Sequence, residues 1–340
     1  MPVDVKPIRS QDSLAQVAGV TRLTIHRALT GQPGVGQATR QRIRRLADKY
    51  GYRPNAAARS TRTGRFGAVA LLLGTRDGCS TLPPDLLNGI HDGLAAHDLN
   101  LMVVRLPDER LTDADYVPRI LRETASDGLL IDYTHDIPLL MLDLIAQAKL
   151  PAVWINVKRE HDCVHPDDFA AAKQATQRLL ASGRRRVAWA DFSNLDPDHR
   201  HYSAADRRAG YAAAMIDAGL TPRFATELNP HQPGVDRECG AQAILSDPDR
   251  PDALVCYADT TAAAFIHAAQ RLGINIPGEL SLLSFDPSVS PLLYPRLSTM
   301  LLPSRAVGEQ AVAMLQQRIH HPHPVPAVTV PFTYEAGETV

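Results

Sequence analysis

The chain has 340 residues, of which 44% are hydrophobic and 21% charged, and its formal net charge is −1. This length allows two or three units with their own cores, and the composition is that of an ordinary globular protein. Every apolar run is shorter than the ~18 residues that a membrane helix needs. The N-terminal MPVDVKPIRSQ lacks the apolar core of a signal peptide, so we expect a cytoplasmic protein with no membrane partner.

The charge is distributed unevenly along the chain. Residues 1–65 contain 13 Lys and Arg but only three acidic residues, which gives this segment a net charge of +10. The remainder carries 23 basic and 34 acidic residues, a net charge of −11. A basic segment followed by an acidic body predicts a polyanionic partner for the N-terminal segment alone.

The sequence contains few signals for metal binding or catalysis. Its four cysteines are scattered, which indicates reduced thiols rather than disulfides or a metal site. HDCVHPDD (161–168) and HHPHP (320–324) are predicted to be a loop before a helix and a Pro-broken turn, since neither has a second ligand cluster. Gly-rich phosphate loops and a nucleophile elbow are absent from the sequence. We therefore expect no cofactor, no metal and no enzymatic activity.

Residues 12–60 have the pattern of a helix-turn-helix. A first helix is expected over 12–18, ended by Gly19, and a second over 22–29 with Thr21 as its N-cap. Apolar residues of the second helix recur at i, i+3 and i+4 and predict an inward face. The outward residues at its N-terminal end would then meet base edges in a major groove, and these are Thr21, Arg22, Leu23, His26 and Arg27.

A third helix is expected over 37–50, with several arginines on its polar face. For an isolated run of charges, the simplest interpretation is a solvated helix surface. Here the run follows a helix-turn-helix in a segment with almost no acids, so Arg42 and Arg45 are predicted to bind DNA phosphates.

These segments carry a resemblance to a known family. LAQVAGVTRLTIHRALTG, PGVGQATRQRIRRLADKYGYRPN and AAAR resemble, in register, the pattern VAxxAGVSxxTVSRxLNG, VSxxTRxRVxxAAxxLGYxPN and xxAR of the lac-repressor/galactose-repressor family. The resemblance implies that Asn55 opens a hinge segment that binds the centre of the operator, with Arg59 at the phosphates. Thr61 stands where the family usually has a Leu that wedges between base pairs, so a weaker DNA kink is expected.

From Phe66 onward, buried strand patterns alternate with helical patterns, which is typical of doubly wound parallel sheets. The predicted strands outnumber those of one small sheet, so two lobes with a ligand cleft between them are expected. Strands are predicted at 67–73, 100–104, 128–132, 152–156, 186–190, 253–258 and 280–285.

The family resemblance continues through the body and implies a fold like that of periplasmic sugar-binding proteins. DRRAGYAAAM (206–215) resembles the family's RxxGF segment, and the chain from 253 to 288 resembles its segment ending in GFDD. By this resemblance, Arg207 and Asp286 are ligand contacts in the cleft, and Asp259 supports the ligand residues. The family's Asn before Asp259 is Ala258 here, which removes one polar contact.

The expected organisation has three parts. Residues 1–54 form a helix-turn-helix head, 55–65 a hinge helix and linker, and 66–340 an effector-binding and dimerisation body. Within the body, lobe 1 is expected to comprise about 66–162 and 298–321. Lobe 2 is expected to comprise about 163–297 and 322–340.

The predicted function is transcriptional regulation, most simply repression. The partners are a pseudo-palindromic double-stranded DNA operator, a small-molecule effector such as a sugar or nucleoside, and a second copy of the chain in a homodimer. Two alternatives remain at this point. One is a DNA-binding regulator that responds to no effector, and the other is a cytoplasmic sugar-binding protein or enzyme.

Overall fold

A computed structural model describes residues 7–54, 64–75, 80–107, 110, 118–123, 125–134, 137–192, 200–225 and 237–340. The chain divides into two compact units, Met1–Gly67 and Ala68–Val340. The first unit is helical, and the second alternates strands with helices. The predicted α/β class with a helix-turn-helix head is confirmed.

The head contains the predicted helices, each beginning at a side-chain or backbone cap. The Ser10 hydroxyl accepts a hydrogen bond from the Ser13 amide, and the Thr21 hydroxyl accepts one from the Thr24 amide. These bonds satisfy amides that a helix N-terminus leaves without intrahelical partners. Gly19 ends the first helix with a φ of 63°, a conformation that favours glycine. The helices are α1 (Gln11–Ala18), α2 (Arg22–Thr30) and α3 (Gln37–Lys49).

A small apolar core holds the three helices together. Ile25 and Ala28 of α2 are fully buried, as the helical spacing predicted, whereas Leu29 is half-buried. The buried residues of this core are Leu14, Ala15, Ala18, Ile25, Ala28, Ile43, Ala47 and Tyr52. With its inward face occupied in this way, α2 presents its polar residues to solvent.

The described strands of the second unit form two six-stranded sheets. The first has the order β11-β5-β4-β3-β1-β2 and the second β12-β10-β9-β8-β6-β7. All pairs are parallel except β10 with β12. The strands are β1 (Ala68–Leu73), β2 (Asn100–Arg105), β3 (Gly128–Asp132), β4 (Ala152–Ile155), β5 (Cys163–Pro166), β6 (Val187–Ala190), β7 (Arg223–Phe224), β8 (Ala253–Cys256), β9 (Ser281–Asp286), β10 (Ser298–Leu301), β11 (Val328–Val330) and β12 (Thr333–Glu335).

Helices cover both faces of each sheet, so the central strands are buried on both sides. None of the helices in the described part of the chain is long and apolar enough to span a membrane. The helices are α4 (Pro84–Ala95), α5 (Arg119–Arg122), α6 (Leu139–Ala148), α7 (Asp168–Ala181), α8 (Tyr202–Asp217), α9 (Arg237–Ser246), α10 (Asp259–Leu272) and α11 (Ser304–His320).

The chain passes between the sheets at three points, and strand pairing places them differently from the predicted lobe bounds. Strand β5 was expected in lobe 2 but pairs with β4 in the first sheet. Strand β10 was expected in lobe 1 but pairs with β9 in the second sheet, and β11 was expected in lobe 2 but pairs with β5. The crossings therefore follow β5, β10 and β11. These strands are short. The sheet that each one joins depends on pairing with strands that are distant in the chain rather than on its own sequence pattern.

The segment HDCVHPDD illustrates this difference. It was predicted to be a loop, but Cys163–Pro166 is β5, a fully buried inner strand. Only the partner strands on either side make it part of the sheet. The residues that follow it, Asp167 and Asp168, therefore stand at the carboxyl end of a strand, where ligand sites of parallel sheets are found.

Two helices of the first lobe cross at glycines. A Cβ added to Gly89 in α4 would lie 2.1 Å from the backbone oxygen of Arg305 in α11. One added to Gly308 would lie 2.6 Å from the backbone oxygen of Leu86. The two helices approach this closely because neither residue has a side chain.

Replacing Gly89 with Ala should therefore destabilise the body, although Ala favours a helix by roughly 1 kcal/mol over Gly. The helices must separate to accommodate the methyl group, and we expect a net loss of about 1–3 kcal/mol, the usual cost of overpacking. Gly240→Ala in α9 is the matched control, because among the described residues its Cβ would meet only Phe192, at 4.0 Å. Denaturant unfolding should show Gly240→Ala unchanged or slightly stabilised. A Gly89→Ala variant as stable as the wild type would contradict the close crossing.

One carboxylate is buried in the first lobe without a partner. Asp132, the last residue of β3, lies beside Leu73 and is 0% exposed. Neither of its carboxylate oxygens has a hydrogen-bond partner among the described residues. Burial raises the pKa of Asp132 from 3.8 to about 8. Between these values the folded chain keeps a proton that the unfolded chain releases, so stability falls as pH rises through this window.

Asp132→Asn should remove this pH dependence, because the amide has the shape of the protonated acid and does not titrate. Near pH 8 the variant should be more stable than the wild type by roughly 2–5 kcal/mol, and near pH 4 the two should be similar. Asp143→Asn, an exposed position on α6, should change stability little at either pH. Urea titrations of the three proteins at both pH values measure this. An equal effect of Asp132→Asn at both would contradict a buried, protonated carboxyl.

Candidate functional site

The N-terminal end of α2 is the exposed polar surface of the head. The Arg22 side chain is 68% exposed and lies 3.6 Å from Asp12, and Leu23 is 55% exposed. His26 and Arg27 are half-buried. Thr21, Arg22 and Leu23 are thus the exposed members of the predicted base-reading set, whereas His26 and Arg27 are partly covered.

The arginines of α3 divide between two roles. Arg42 and Arg45 are exposed, as contacts with DNA phosphates would require. Arg40 is half-buried, and its guanidinium donates to the backbone oxygens of Gln32 and Arg27 at 2.9 and 3.5 Å. Arg40 therefore fixes the C-terminal end of α2 against α3. The predicted hinge residues Asn55, Arg59 and Thr61 lie outside the described residues.

In the body, the carboxyl ends of the two sheets border a cavity of about 440 Å³. Thr81, Thr134 and Asn156 contribute from the first lobe. Arg207 and Asp286 contribute from the second, so the structure brings these two predicted ligand residues together. Asp259 is not among the lining residues, whereas Ala258 is.

A second, larger cavity of about 870 Å³ lies beside α6, β4 and the end of α11. None of the ligand residues predicted from sequence lines it. Arg318, the most buried cationic residue of this second cavity, lies 3.1 Å from the Asp162 carboxylate. Arg159 stacks over the Trp154 ring. Arg318 and Arg159 thus interact with other residues of the protein. The cavity between the sheets is the better candidate for a binding site.

Arg207 extends from the second turn of α8 and is only 5% exposed. Its Nε donates to Asp168 Oδ1 at 2.7 Å and its Nη1 to the backbone oxygen of Tyr257 at 3.0 Å. The guanidinium also lies over the rings of Tyr257 and Phe285, at 4.9 and 4.7 Å from their centroids. Burial of this charge is offset by the Asp168 carboxylate and by the aromatic faces.

Asp286 ends β9 and is held by hydrogen bonds from within its own lobe. Its Oδ1 accepts from the backbone amide of Asp259 at 2.9 Å, and its Oδ2 accepts from the Ser284 hydroxyl. Burial raises the pKa of Asp286 to about 6, although both hydrogen bonds act in the opposite direction. The carboxyl is therefore largely ionised near neutral pH. Asp259 acts on the cleft through its amide, which orients the Asp286 carboxylate.

Polar contacts also join the two lobes across the cleft. The His201 Nε2 lies 3.0 Å from the Asn156 backbone oxygen, and the Tyr202 hydroxyl donates to Asn156 Oδ1 at 3.1 Å. At the rim, Lys158 pairs with Asp206 at 2.6 Å. Such contacts are made only when the lobes are this close, so they contribute to the free-energy difference between lobe arrangements.

Two residues of the cavity lining, Asp168 and His201, were not predicted from the sequence. Asp168 was not predicted because β5, the strand before it, was predicted to be a loop. Without that strand, nothing indicated that Asp168 lies at the carboxyl end of a strand, where ligand sites are found. His201 is the N-cap of α8 and lies before the DRRAGYAAAM segment (206–215) that carries the resemblance. Both line the cavity beside Arg207.

Comparison with known proteins gives matches for both units. The family model "Bacterial regulatory proteins, lacI family" matches residues 12–55, and "Periplasmic binding protein-like domain" matches 176–340. The repressor PurR of Photobacterium profundum is 25% identical over 90% of each chain. Catabolite control protein A of Priestia megaterium is 23% identical over 89% of this chain and 90% of its own. The regulator RafR of Escherichia coli is 27% identical over 93% of each.

Solved structures match over nearly the whole length. The lac repressor dimer bound to operator and the anti-inducer ONPF has a TM-score of 0.75 at 17% identity, over 98% of this chain and 99% of its own. The regulator CelR in complex with cellobiose has a TM-score of 0.64 at 21% identity, over 97% and 99%. The fold and the matched segments define a helix-turn-helix regulator with a ligand-binding body. Residues 12–55 thus match the lacI family of bacterial regulatory proteins, and residues 176–340 match a periplasmic-binding-protein-like domain.

Proposed function

We propose that this protein is a sequence-specific transcriptional regulator, acting as a repressor. Its affinity for a pseudo-palindromic operator is controlled by a small molecule, a sugar or nucleoside, bound between the two lobes. The observation that carries this proposal is the combination of two surfaces on one chain. One is the exposed, basic N-terminal end of α2, and the other is the polar cavity lined by Arg207 and Asp286. A role at chromosomal DNA also agrees with the predicted cytoplasmic location.

The physical link between the two surfaces is differential binding. An effector changes operator affinity only by the difference in its affinity for the two lobe arrangements. A ligand in the cavity touches both lobes, so it favours one arrangement over another. In a dimer, that preference alters how the two hinge segments meet the centre of the operator.

A homodimer is part of the proposal. A pseudo-palindromic operator requires two heads related by a two-fold axis. The body exposes a segment after β9 in which Leu292 is 91% and Tyr294 79% exposed. Large apolar side chains this accessible are typical of protein interfaces. The lac repressor solved with operator is likewise described as a dimer.

A second candidate function is regulation without an effector. Ala258 lines the cavity where the family usually has a polar Asn. The side chains of Asp286 and Arg207 also already have partners within the body. A thermal-shift screen of sugars and nucleosides distinguishes the two candidates. A ligand at 100-fold excess over its Kd should raise stability by about 2.7 kcal/mol, and a cleft without function should respond to none.

The first prediction concerns base reading by α2. An operator would be selected from randomised two-half-site DNA and used in band shifts. Arg22→Ala should cost about 1–3 kcal/mol at one operator position and relax the preference there, because Arg can bind guanine in a bidentate manner. Arg45→Ala is the matched control, since a phosphate contact carries no sequence information. It should weaken binding to all sequences alike and reduce the salt slope by about one.

These outcomes also test the overall function. Binding that is independent of salt and of sequence would contradict an operator-binding role for the head. An unchanged sequence preference in Arg22→Ala would show instead that α2 lies in the groove with a different orientation.

The second prediction concerns the cleft. Asp286→Asn keeps the size of the side chain but removes its charge, so effector binding should weaken by at least about 10-fold. Operator binding without effector should stay near the wild-type level. Arg207→Ala should also abolish the effector response, at a stability cost of about 3–5 kcal/mol, because Asp168 then stays buried without its partner. Calorimetry and band shifts with a ligand found in the screen provide the measurements.

Glu279→Ala is the control for the cleft variants, since it removes an exposed ion pair with Arg250 in the same lobe. It should leave effector binding and the operator response unchanged. Wild-type effector affinity in both Asp286→Asn and Arg207→Ala would move the binding site elsewhere.

A further inference from the structure

Asp168 is the least satisfied charged group in the cleft. It is the first residue of α7, is 1% exposed, and lines the cavity. One carboxylate oxygen, Oδ1, accepts from Arg207. The other, Oδ2, is buried and accepts no hydrogen bond from the described residues, because the nearby Tyr202 hydroxyl donates to Asn156 Oδ1 instead. A buried acceptor without a partner is unfavourable, and a donor supplied by a ligand would satisfy it.

The same carboxylate neutralises the positive charge of Arg207, which an anionic ligand would need as its counter-charge. Arg207 has its Nε on Asp168 and its Nη1 on the Tyr257 backbone oxygen. The other guanidinium of the lining, Arg200, lies 3.4 Å from Asp191. The lining also contains the carboxylates of Asp168 and Asp286, so the Asp and Arg side chains of the described lining balance in charge.

We propose that the cleft selects an electrically neutral, hydroxyl-bearing ligand, and that Asp168 determines this selectivity. A ligand hydroxyl donates to Asp168 Oδ2, while Arg207 serves as the counter-charge of Asp168 rather than as a receptor for an anion. A carboxylate or phosphate in the same place meets two carboxylates and finds Arg207 already paired. This inference rests on the proposed role of the cleft as an effector site, and it narrows the chemistry of the effector.

Matched pairs of probes test the charge selectivity directly. The pairs are D-glucose with D-gluconate and with glucose 6-phosphate, ribose with ribose 5-phosphate, and adenosine with adenosine monophosphate. Binding to the full-length protein is measured by thermal shift and then by calorimetry for each pair that responds. In the wild type, the neutral member should bind at least about 100-fold more tightly than its anionic partner, because like charges in a recognition site are strongly repelled.

Three variants separate charge from packing. Asp168→Asn frees the Arg207 charge, so the neutral ligand should weaken about 10-fold and the preference over the anion should shrink below about 10-fold. The double variant Asp168→Asn/Arg207→Gln removes both charges and should restore the preference for the neutral member while keeping its weaker binding. Asp167→Asn is the matched control. It keeps the N-cap bond to Ala170 and lies outside the cavity lining, so its selectivity should equal that of the wild type.

The outcomes distinguish this inference from the function on which it rests. An anionic member that binds the wild type as tightly as its neutral partner overturns the inference, as does an unchanged preference in folded Asp168→Asn. Thermal unfolding of each variant establishes that it is folded, and if Asp168→Asn does not fold, the double variant and the wild-type ratios decide. A wild-type protein that binds no probe of either charge contradicts the effector role of the cleft together with the inference.

Discussion

The body of this protein depends on the passage of the chain between two parallel sheets. Each sheet is completed by a strand from beyond a crossing: β11 returns to the first sheet after β10, and β12 returns to the second sheet after β11. Since all but one pair are parallel, the carboxyl ends of the strands collect at one edge of each sheet, and the crossings turn these edges toward each other. The cavity of about 440 Å³ lies between them.

Within that cavity, the buried pair of Arg207 and Asp168 organises the second lobe. The pair joins α8 to the start of α7. The guanidinium also lies over Tyr257, which follows β8, and over Phe285, which is part of the neighbouring strand β9. A buried charge retained in this way costs desolvation energy that an apolar pair would not. In the proposed function this pair contributes to recognition, because it fixes the position of an acceptor oxygen and neutralises the cation beside it. The arginine that resembles a ligand residue in sequence is thus mainly a partner of another protein side chain.

The two units use their polar groups differently. In the head, Arg22 of α2 and Arg42 and Arg45 of α3 are exposed to solvent, whereas Arg40 holds the end of α2. In the body, the polar groups of the cleft are buried and bonded to one another before any ligand arrives. Exposed charges suit an electrostatic partner whose affinity depends on salt. Buried, oriented groups suit a small ligand that must be distinguished from close analogues.

Local sequence was sufficient for the features that depend on contiguous residues. The cap at Thr21, the turn at Gly19 and the long buried strands were predicted close to where they occur, because capping and periodicity act within one or two turns or a single strand. Arg207 and Asp286 were predicted through the resemblance, and the structure brings them to one cavity.

Tertiary structure decided what depends on distant partners. Strand β5 was predicted to be a loop, because its four residues become a strand only through pairing with β4 and with β11, where Val328 lies beside Val164. Because β5 belongs to the first sheet, the first crossing between the sheets follows it rather than preceding it. For the same reason, Asp168 stands just after the end of a strand. Pairing across more than a hundred residues leaves no trace in local periodicity. The ion pair that sets the charge of the cleft is therefore visible only once the chain is folded.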